Sequence, residues 1–129
     1  MKFPYLKFKG RLLPIVPVRL KGKEWISVDA YVDSGASFSI FHAWITEALG
    51  LKIEEGEKQY VIVGDGSQIP VYLHSVKVQL AEKEFEVKIG FSRRLGIGFN
   101  LLGRVGVFDR FKVCFNDKEG AVEFSEFDI

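Results

Sequence analysis

One aspartate in this chain stands where a side chain could do chemistry. Asp33 ends an apolar, strand-like run and is followed at once by Ser34, Gly35 and Ala36. A carboxylate at a strand end, on a tight turn with a glycine and hydroxyls beside it, is available to give or accept a proton. Asp-Ser-Gly is also ordinary turn chemistry, in which Asp33 would only cap the turn. The tetrapeptide alone is compatible with both interpretations.

Other reactive side chains form no recognisable site. His42 and His74 have no companion at metal-ligand spacing, and the chain has a single cysteine, Cys114, so no metal site is predicted. No histidine stands beside Cys114 in the sequence, which gives a cysteine nucleophile no support. One cysteine also excludes an internal disulfide, and nothing indicates an oxidising compartment. We therefore expect no metal and no organic cofactor.

Length and composition predict one soluble globular domain over residues 1–129. Hydrophobic residues make up 47% and charged residues 27% of the chain, and the net charge is +1. The absence of a basic run argues against nucleic acid as a partner. No stretch approaches the ~20 apolar residues of a membrane helix, and residues 1–9 do not resemble a signal peptide. The expected location is the cytoplasm, with no membrane partner.

The elements that must position Asp33 are mainly strands, because apolar residues alternate with polar ones along most of the chain. Three hairpins are predicted: Leu13–Leu20 with Trp25–Val32 around a turn at 21–24, Val76–Leu80 with Phe85–Ile89 around a turn at 81–84, and Lys112–Phe115 with Ala121–Phe124 around a turn at 116–120. Pro14 and Pro17 predict an edge or irregular strand in the first hairpin. Asp33 would lie directly after the second strand of that hairpin.

Two segments depart from the strand pattern. Ile40–Leu49 has apolar residues on one helical face, with Ser39 as a candidate N-cap and Gly50 as a candidate C-cap, and is predicted as a helix. Arg104–Phe111 is predicted as a second, short helix. Together these patterns predict a mostly antiparallel β domain with one or two short helices.

Three segments together resemble the retropepsin-like aspartic proteases, the single-lobe relatives of retroviral protease and pepsin. They are Asp-Ser-Gly-Ala at 33–36, the glycine-rich hairpin at 63–71, and Asn-Leu-Leu-Gly-Arg at 100–104. Their order and spacing carry the resemblance, which covers residues 15–124. It implies an all-β, single-lobe acid-protease domain, closed like a barrel, with one or two short helices. It also implies an aspartic endopeptidase.

The resemblance assigns roles to individual positions. Asp33 would be the catalytic aspartate, Ser34 the hydroxyl residue that braces the two active-site loops across a dimer, and Gly35 the site of close backbone approach. Ala36 would contact the substrate beside them. The remaining implied substrate-binding positions are the flap tip, Gly64, Asp65 and Gly66, and the hydrophobic pair, Leu101 and Leu102, through which the catalytic strand passes. On the residues alone, 64–66 could be an ordinary hairpin turn and Leu101 and Leu102 ordinary core.

The chemistry of such enzymes requires two carboxylates that share one proton. One acts as base on a water while the other, protonated, polarises the scissile carbonyl, so the two titrations belong to the pair. This chain has one such motif, whereas pepsin supplies two from the two lobes of a longer chain. The resemblance therefore implies a homodimer with Asp33 of each subunit at a two-fold axis. The expected partners are a polypeptide substrate and a second copy of the chain.

One departure from the family keeps a second function open. Ser37 stands where retroviral proteases carry an acidic residue, so Arg104 lacks the acidic partner that it would have in those enzymes. The alternative is a catalytically inactive module with the protease fold that binds peptides or dimerises.

Apolar residues continue almost to the C-terminus, at Val122, Phe124, Phe127 and Ile129. They predict either an ordinary final strand or a strand that pairs with its two-fold mate. The N-terminal segment Phe3–Leu13 is an equal candidate for that pairing.

Overall fold

The computed structural model describes residues 1–63 and 65–127. The strands are β1 (Lys2–Pro4), β2 (Leu6–Phe8), β3 (Arg11–Leu13), β4 (Ile15–Lys21), β5 (Trp25–Val32), β6 (Ser39–His42), β7 (Glu57–Ile62), β8 (Gln68–Leu80), β9 (Lys83–Ser92), β10 (Asn100–Leu102), β11 (Phe111–Asn116) and β12 (Ala121–Glu126). The helical elements are α1 (Trp44–Leu49), one 3-10 turn (Ile53–Glu55) and one irregular helical turn (Arg104–Phe108). None of the helices in these residues is long and apolar enough to cross a membrane.

Six strands close into a barrel, which confirms the predicted fold class. They follow the order β4-β5-β10-β6-β9-β8, and β8 returns to β4 by pairing residues 77–79 with residues 19–21. Strand β7 extends this sheet beyond β8. The β5–β10 and β6–β9 pairings are parallel and the other pairings in the barrel are antiparallel. A closed ring leaves fewer unpaired strand edges than an open sheet.

The alternating sequence pattern explains which face of each strand is buried. In β4, Val16, Val18 and Leu20 are at most 1% exposed, while Pro17 and Arg19 between them face solvent. The same alternation along β8 and β9 fills the barrel from the other side. Burial of these side chains contributes about 1.5–3 kcal/mol each, so the pattern fixes which way each strand faces.

The three predicted hairpins are present, with adjusted ends. The first strand begins at Ile15, because Pro14 separates it from the short strand β3. The second turn is tighter than predicted: it consists of Ala81 and Glu82, both with positive φ (50° and 67°), and β9 begins directly after them. A two-residue turn of this kind matches the right-handed twist of the paired strands.

The predicted helix over Ile40–Leu49 is wrong in its first half. Residues 39–42 form β6, which lies between β9 and β10 and is buried along most of its length. From sequence alone, a short apolar run that forms a strand cannot be distinguished from part of a helix. Ser39 therefore caps nothing, whereas Gly50 does end α1, in the left-handed region with φ 74°.

The second predicted helix is shorter than Arg104–Phe111. The helical turn ends at Phe108 and is broken inside by Gly106, whose φ is +90°. Phe111 instead begins β11, where it is 3% exposed and packs edge-on against Phe124 at 5.6 Å between ring centroids. Phe111 therefore belongs to a paired strand and not to the helix.

A separate three-stranded sheet joins the two ends of the chain in the order β1-β12-β11. Phe3 of β1 packs edge-on against Phe124 of β12, with ring centroids 5.7 Å apart. The final strand is therefore an ordinary strand of its own subunit with a neighbour on both sides, and the alternative pairing with a two-fold mate is wrong for β12. Ile129 lies outside the described residues.

Candidate functional site

The turn that carries Asp33 is anchored to the end of β10. Strands β5 and β10 run parallel side by side, and the Asp33 N–H donates to Leu102 O at 2.9 Å immediately after their last pair. The Gly35 N–H donates to Asp33 Oδ1 at 2.9 Å, and the Ala36 N–H donates to Asp33 O at 3.2 Å. The backbone of the turn thus fixes one oxygen of the carboxylate. Asp33 is half-buried, while Ser34 and Gly35 are exposed.

Gly103 passes so close under this turn that no side chain fits. A Cβ built on Gly103 would lie 2.4 Å from Phe38 O and 2.8 Å from Ala36 O. The Gly103 N–H donates to the Ser39 hydroxyl at 3.0 Å. The following residue, Arg104, donates its N–H to Ala36 O at 2.8 Å. Two backbone segments that are about 70 residues apart in sequence therefore hold each other in place.

Arg104 contacts the turn with its side chain as well. Its Nη1 donates to Ser34 O at 3.3 Å. The sequence analysis left Arg104 without its acidic family partner, and Ser37 at the matching position is exposed. The backbone of Ser37 still takes part, because its carbonyl accepts the Val105 N–H at 2.8 Å. In this chain, backbone carbonyls accept the hydrogen bonds of the segment that follows Gly103.

Asp33 and Ser34 open into a cavity of about 550 Å³. Its other walls come from the β2–β3 hairpin, β5 and the end of β11; they include Leu12, Tyr31, Phe115 and Asp117. Leu12 is 62% and Phe115 39% exposed, so large apolar side chains line the same cavity as the carboxylate.

A stack of aromatic rings lies beside this cavity and was not identified from the sequence as a unit. Tyr31 and Phe99 stack with ring centroids 5.1 Å apart, and Phe8 meets Phe99 edge-on at 5.3 Å. Tyr31 lies two residues before Asp33, and Phe99 directly precedes the Asn-Leu-Leu-Gly segment. Because Tyr31 and Phe99 each lie next to a motif, the sequence could have identified them as part of the site. Phe8 joins the stack through packing of the N-terminal hairpin, so its sequence position does not identify it.

The predicted substrate-binding positions that the structure describes lie in three separate parts of the fold. Ala36 lies in the Asp33 turn, and Leu101 and Leu102 are buried in β10 directly beneath it. Asp65 and Gly66 lie at the tip of the β7–β8 hairpin, and neither borders the cavity that holds Asp33. Gly64 lies outside the described residues.

The tip of the β7–β8 hairpin is closed by its own hydrogen bonds. Asp65 Oδ1 accepts from the Ser67 hydroxyl at 2.5 Å and from the Ser67 N–H at 2.8 Å. These bonds favour the ionised carboxylate and lower the pKa of Asp65, the hydroxyl contributing most. Gly66 follows with φ +85°, a conformation that favours glycine. The tip is therefore a defined turn that carries a negative charge.

One residue near the cavity has a strongly raised pKa. Tyr5, at the start of the N-terminal hairpin, donates its hydroxyl to Asp117 Oδ1 at 2.7 Å. Partial burial, followed by this hydrogen bond to a carboxylate, raises the pKa of Tyr5 to about 12. Both causes disfavour the phenolate, so the Tyr5 hydroxyl remains a proton donor to Asp117 at neutral pH. Among residues 1–63 and 65–127, no group of three or more His, Cys, Asp or Glu side chains could hold a metal ion.

Comparison with known proteins places this arrangement in a family. The sequence profile of a family described as aspartyl protease matches residues 16–103. No curated protein gives a significant match. A retropepsin-like aspartic protease from Rickettsia conorii superposes with a TM-score of 0.70 at 16% identity, covering 96% of this chain and 89% of that one. The EIAV protease complexed with the inhibitor HBY-793 superposes with a TM-score of 0.55 at 17% identity, covering 77% of this chain and 88% of that one. These matches confirm the resemblance stated from the three segments.

Proposed function

The chain belongs to the aspartyl protease family, and from this we propose that it is an endopeptidase that works as a homodimer. Each subunit contributes one Asp33 to a pair of carboxylates at the two-fold axis. The observation that carries the proposal is the Asp33 turn, in which the Gly35 N–H fixes one carboxylate oxygen, the Gly103 segment packs closely against the turn, and Asp33 lines a cavity.

The proposed mechanism is general acid–base hydrolysis of a peptide bond. With one proton shared between the two Asp33 side chains, the ionised one accepts a proton from a water, and the protonated one donates a hydrogen bond to the scissile carbonyl. The water oxygen then bonds to the carbonyl carbon. Collapse of the tetrahedral intermediate breaks the C–N bond, and the leaving amine takes up a proton from the pair. The hydrogen bond from the Gly35 N–H leaves one oxygen of each Asp33 fixed, which lowers the cost of orienting the pair.

The proposed substrate is an extended polypeptide. It lies across the cavity beside Asp33, and the flap positions that the resemblance assigns, Gly64, Asp65 and Gly66, bond to its backbone as an added strand would. Ser34 and Gly35 support the turn, and Ala36 contacts the chain next to the scissile bond. Leu101 and Leu102 support the Asp33 turn indirectly, because β10, which contains them, pairs with the end of β5.

The test is cleavage of an unfolded protein from acidic to neutral pH, with Asp33→Asn as the inactive variant. A matched control is Glu86→Gln, which also replaces a carboxylate by an amide but lies exposed on the outside of the barrel. We expect wild type and Glu86→Gln to cleave with the same acid-favoured or bell-shaped profile, since one proton must be shared by the pair. We expect no cleavage by Asp33→Asn.

Two results would contradict the proposal. Equal cleavage by wild type and Asp33→Asn would mean that another group or another protein does the chemistry. A folded wild-type dimer that cleaves nothing would instead favour the inactive, peptide-binding alternative. Binding of an extended, cleavable peptide by a wild-type protein that leaves it intact would identify that alternative directly.

A further inference from the structure

We propose that a second cavity, between the N-terminal hairpin and the barrel, binds an aromatic side chain of the polypeptide substrate at a distance from the cleaved bond. This inference rests on the proposed endopeptidase and adds a substrate class to it. The second cavity has a volume of about 460 Å³, and ligand sites typically have about 300–1,000 Å³. Among the described residues, it has no lining residue in common with the cavity that holds Asp33.

The N-terminal hairpin separates the two cavities. Its first strand, β2, lines the second cavity with residues 6–8, and its other strand, β3, lines the Asp33 cavity with residues 11–13. Phe8 packs edge-on against Phe99, and Phe99 stacks on Tyr31. Phe8 and Phe99 line the second cavity, whereas Tyr31 lines the Asp33 cavity. The two cavities therefore lie on either side of one aromatic wall.

Strand β5 leads from one cavity to the other. Asp29 and Tyr31 face outward from the barrel, because Ala30 and Val32, which alternate with them, are at most 2% exposed. Asp29 lines the second cavity, whereas Tyr31 and Asp33 line the other. The step from Asp29 to Asp33 is about 13 Å along a strand, which about four residues of extended peptide can span. A polypeptide that lies across Asp33 can therefore place a more distant side chain in the second cavity.

The floor of the second cavity is held by hydrogen bonds before any ligand binds. Asn100 of β10 is 6% exposed. Its Oδ1 accepts the His42 N–H at 2.9 Å, and its Nδ2 donates to Asp29 O at 3.0 Å. Both ends of the Asn100 amide thus join β10 to its two neighbouring strands. A site that is already ordered in this way loses little conformational freedom on binding.

The walls of the second cavity leave large apolar side chains open to solvent. Trp44, the first residue of α1, is 62% exposed, and Leu6 of β2 is 38% exposed. Apolar side chains that remain exposed around a cavity are typical of a binding site. Burial of an occupant against them removes this surface from water, which favours binding.

Aromatic surface, and not charge, selects the occupant. Besides His42, the lining residues that can carry a charge are Lys7 and Asp29, which are of opposite sign. The lining therefore attracts neither an acidic nor a basic group in particular. Three of its side chains are aromatic, namely Phe8, Trp44 and Phe99. Aromatic rings gain more from contact with one another than from the burial of their area alone, so a Phe, Tyr or Trp side chain fits the cavity best.

The first part of the test uses Trp44 as a reporter of binding. The chain has two tryptophans, and Trp25→Phe leaves Trp44 as the single one. We expect N-acetyl-phenylalaninamide to shift the emission of Trp44 to shorter wavelength in a saturable way, because the occupant displaces water from the indole. N-acetyl-alaninamide differs only in its side chain and should cause no such shift. Equal shifts, or none, with the two probes would overturn the proposal.

The second part of the test measures cleavage. Mass spectrometry of a digested unfolded protein should show aromatic residues enriched about four positions from the cleaved bonds. A peptide that spans one such bond is then compared with the same peptide carrying alanine at the aromatic position. We expect wild type to cleave the aromatic peptide with a kcat/KM about three- to tenfold higher. The difference should lie mainly in KM, since the contact is remote from the reacting atoms.

Variants of the cavity wall locate this preference. Trp44→Ala should abolish it, and because alanine suits a helix, the variant should fold. Leu6→Ser, on a different element, should weaken the preference as well. The matched control is Trp25→Ala, which removes an indole that lines neither cavity and should keep the preference. Circular dichroism and urea unfolding check that all three variants fold.

The outcomes separate this proposal from the proposed function. If wild type cleaves the two peptides equally well, the second cavity does not bind substrate and the endopeptidase proposal stands. If wild type cleaves nothing but the capped phenylalanine alone shifts the Trp44 emission, the cavity binds aromatic side chains and the endopeptidase proposal fails. Loss of the preference in Trp25→Ala as well as in Trp44→Ala would mean a general effect on the fold and would overturn the inference.

Discussion

Replacing Gly103 by alanine tests the close approach that holds the Asp33 turn. The new Cβ would lie 2.4 Å from Phe38 O, whereas an ordinary contact needs about 3.4 Å. The two segments must therefore separate by about 1 Å. Gly103 has φ −112° and ψ −172°, which alanine adopts easily, so the effect is one of space and not of backbone conformation.

The expected cost follows from what that separation disrupts. Overpacking in a close-packed region costs about 1–3 kcal/mol. The hydrogen bonds that Gly103 and Arg104 donate to the turn region, to the Ser39 hydroxyl and to Ala36 O, are worth about 1 kcal/mol each. The reduced freedom of the unfolded chain returns about 0.4–1 kcal/mol. We expect Gly103→Ala to lower the free energy of unfolding by about 2–4 kcal/mol.

Urea unfolding measures this change, with Gly96→Ala as the matched control. Gly96 has no atom within 4 Å of the position of its new Cβ and has no positive φ, so its replacement should be neutral or slightly stabilising. Where Gly103→Ala is still folded, a 1 Å displacement of the Asp33 turn should reduce peptide cleavage by about 100-fold. If the two variants unfold within about 0.5 kcal/mol of each other, the close approach does not hold the turn and this reasoning is refuted.

Two further predictions concern hydrogen bonds. Ser39→Ala leaves the Gly103 N–H buried without its acceptor, so it should lower the free energy of unfolding in urea by about 1–3 kcal/mol. The control Ser75→Ala, at an exposed position, should change it by less than about 0.5 kcal/mol. Equal effects would contradict the role of the Ser39 hydroxyl. Tyr5, whose pKa is raised to about 12, should ionise only near that pH in an ultraviolet titration. Because the folded protein holds that proton more tightly, the stabilising contribution of Tyr5 is complete below pH 10 and is lost between about pH 10 and pH 12. The Asp117→Asn variant should lower the pKa of Tyr5, and an unchanged titration would show that this carboxylate does not perturb it.

The sequence predicted the elements whose pattern is local. Trp25–Val32 alternates clearly and Asp33 follows it, so the strand and the position of the carboxylate at its end were both foreseen. The three hairpins were found for the same reason. The turn at Ala81 and Glu82 was predicted at the correct position but with too many residues, because two non-glycine residues with positive φ carry no strong sequence signal.

Features that depend on contacts between segments far apart in the sequence could not be predicted from the local residue pattern. Ser39–His42 resembles the start of a helix, and only its position between β9 and β10 makes it a strand. The hydrogen bond from Arg104 to Ser34 O joins side chain to backbone across about 70 residues, so no spacing rule reveals it. The position of β12 between β1 and β11 likewise becomes visible only in the folded chain.

The central claim is that one active site contains Asp33 from two copies of the chain. Mixing equal amounts of wild type and Asp33→Asn, under conditions in which subunits exchange, tests it most directly. If each site needs both aspartates, random exchange leaves about one quarter of the dimers with two wild-type subunits, so activity per total protein should fall to about one quarter of the wild-type value. Activity of about one half, as expected when each subunit acts by itself, would contradict the claim.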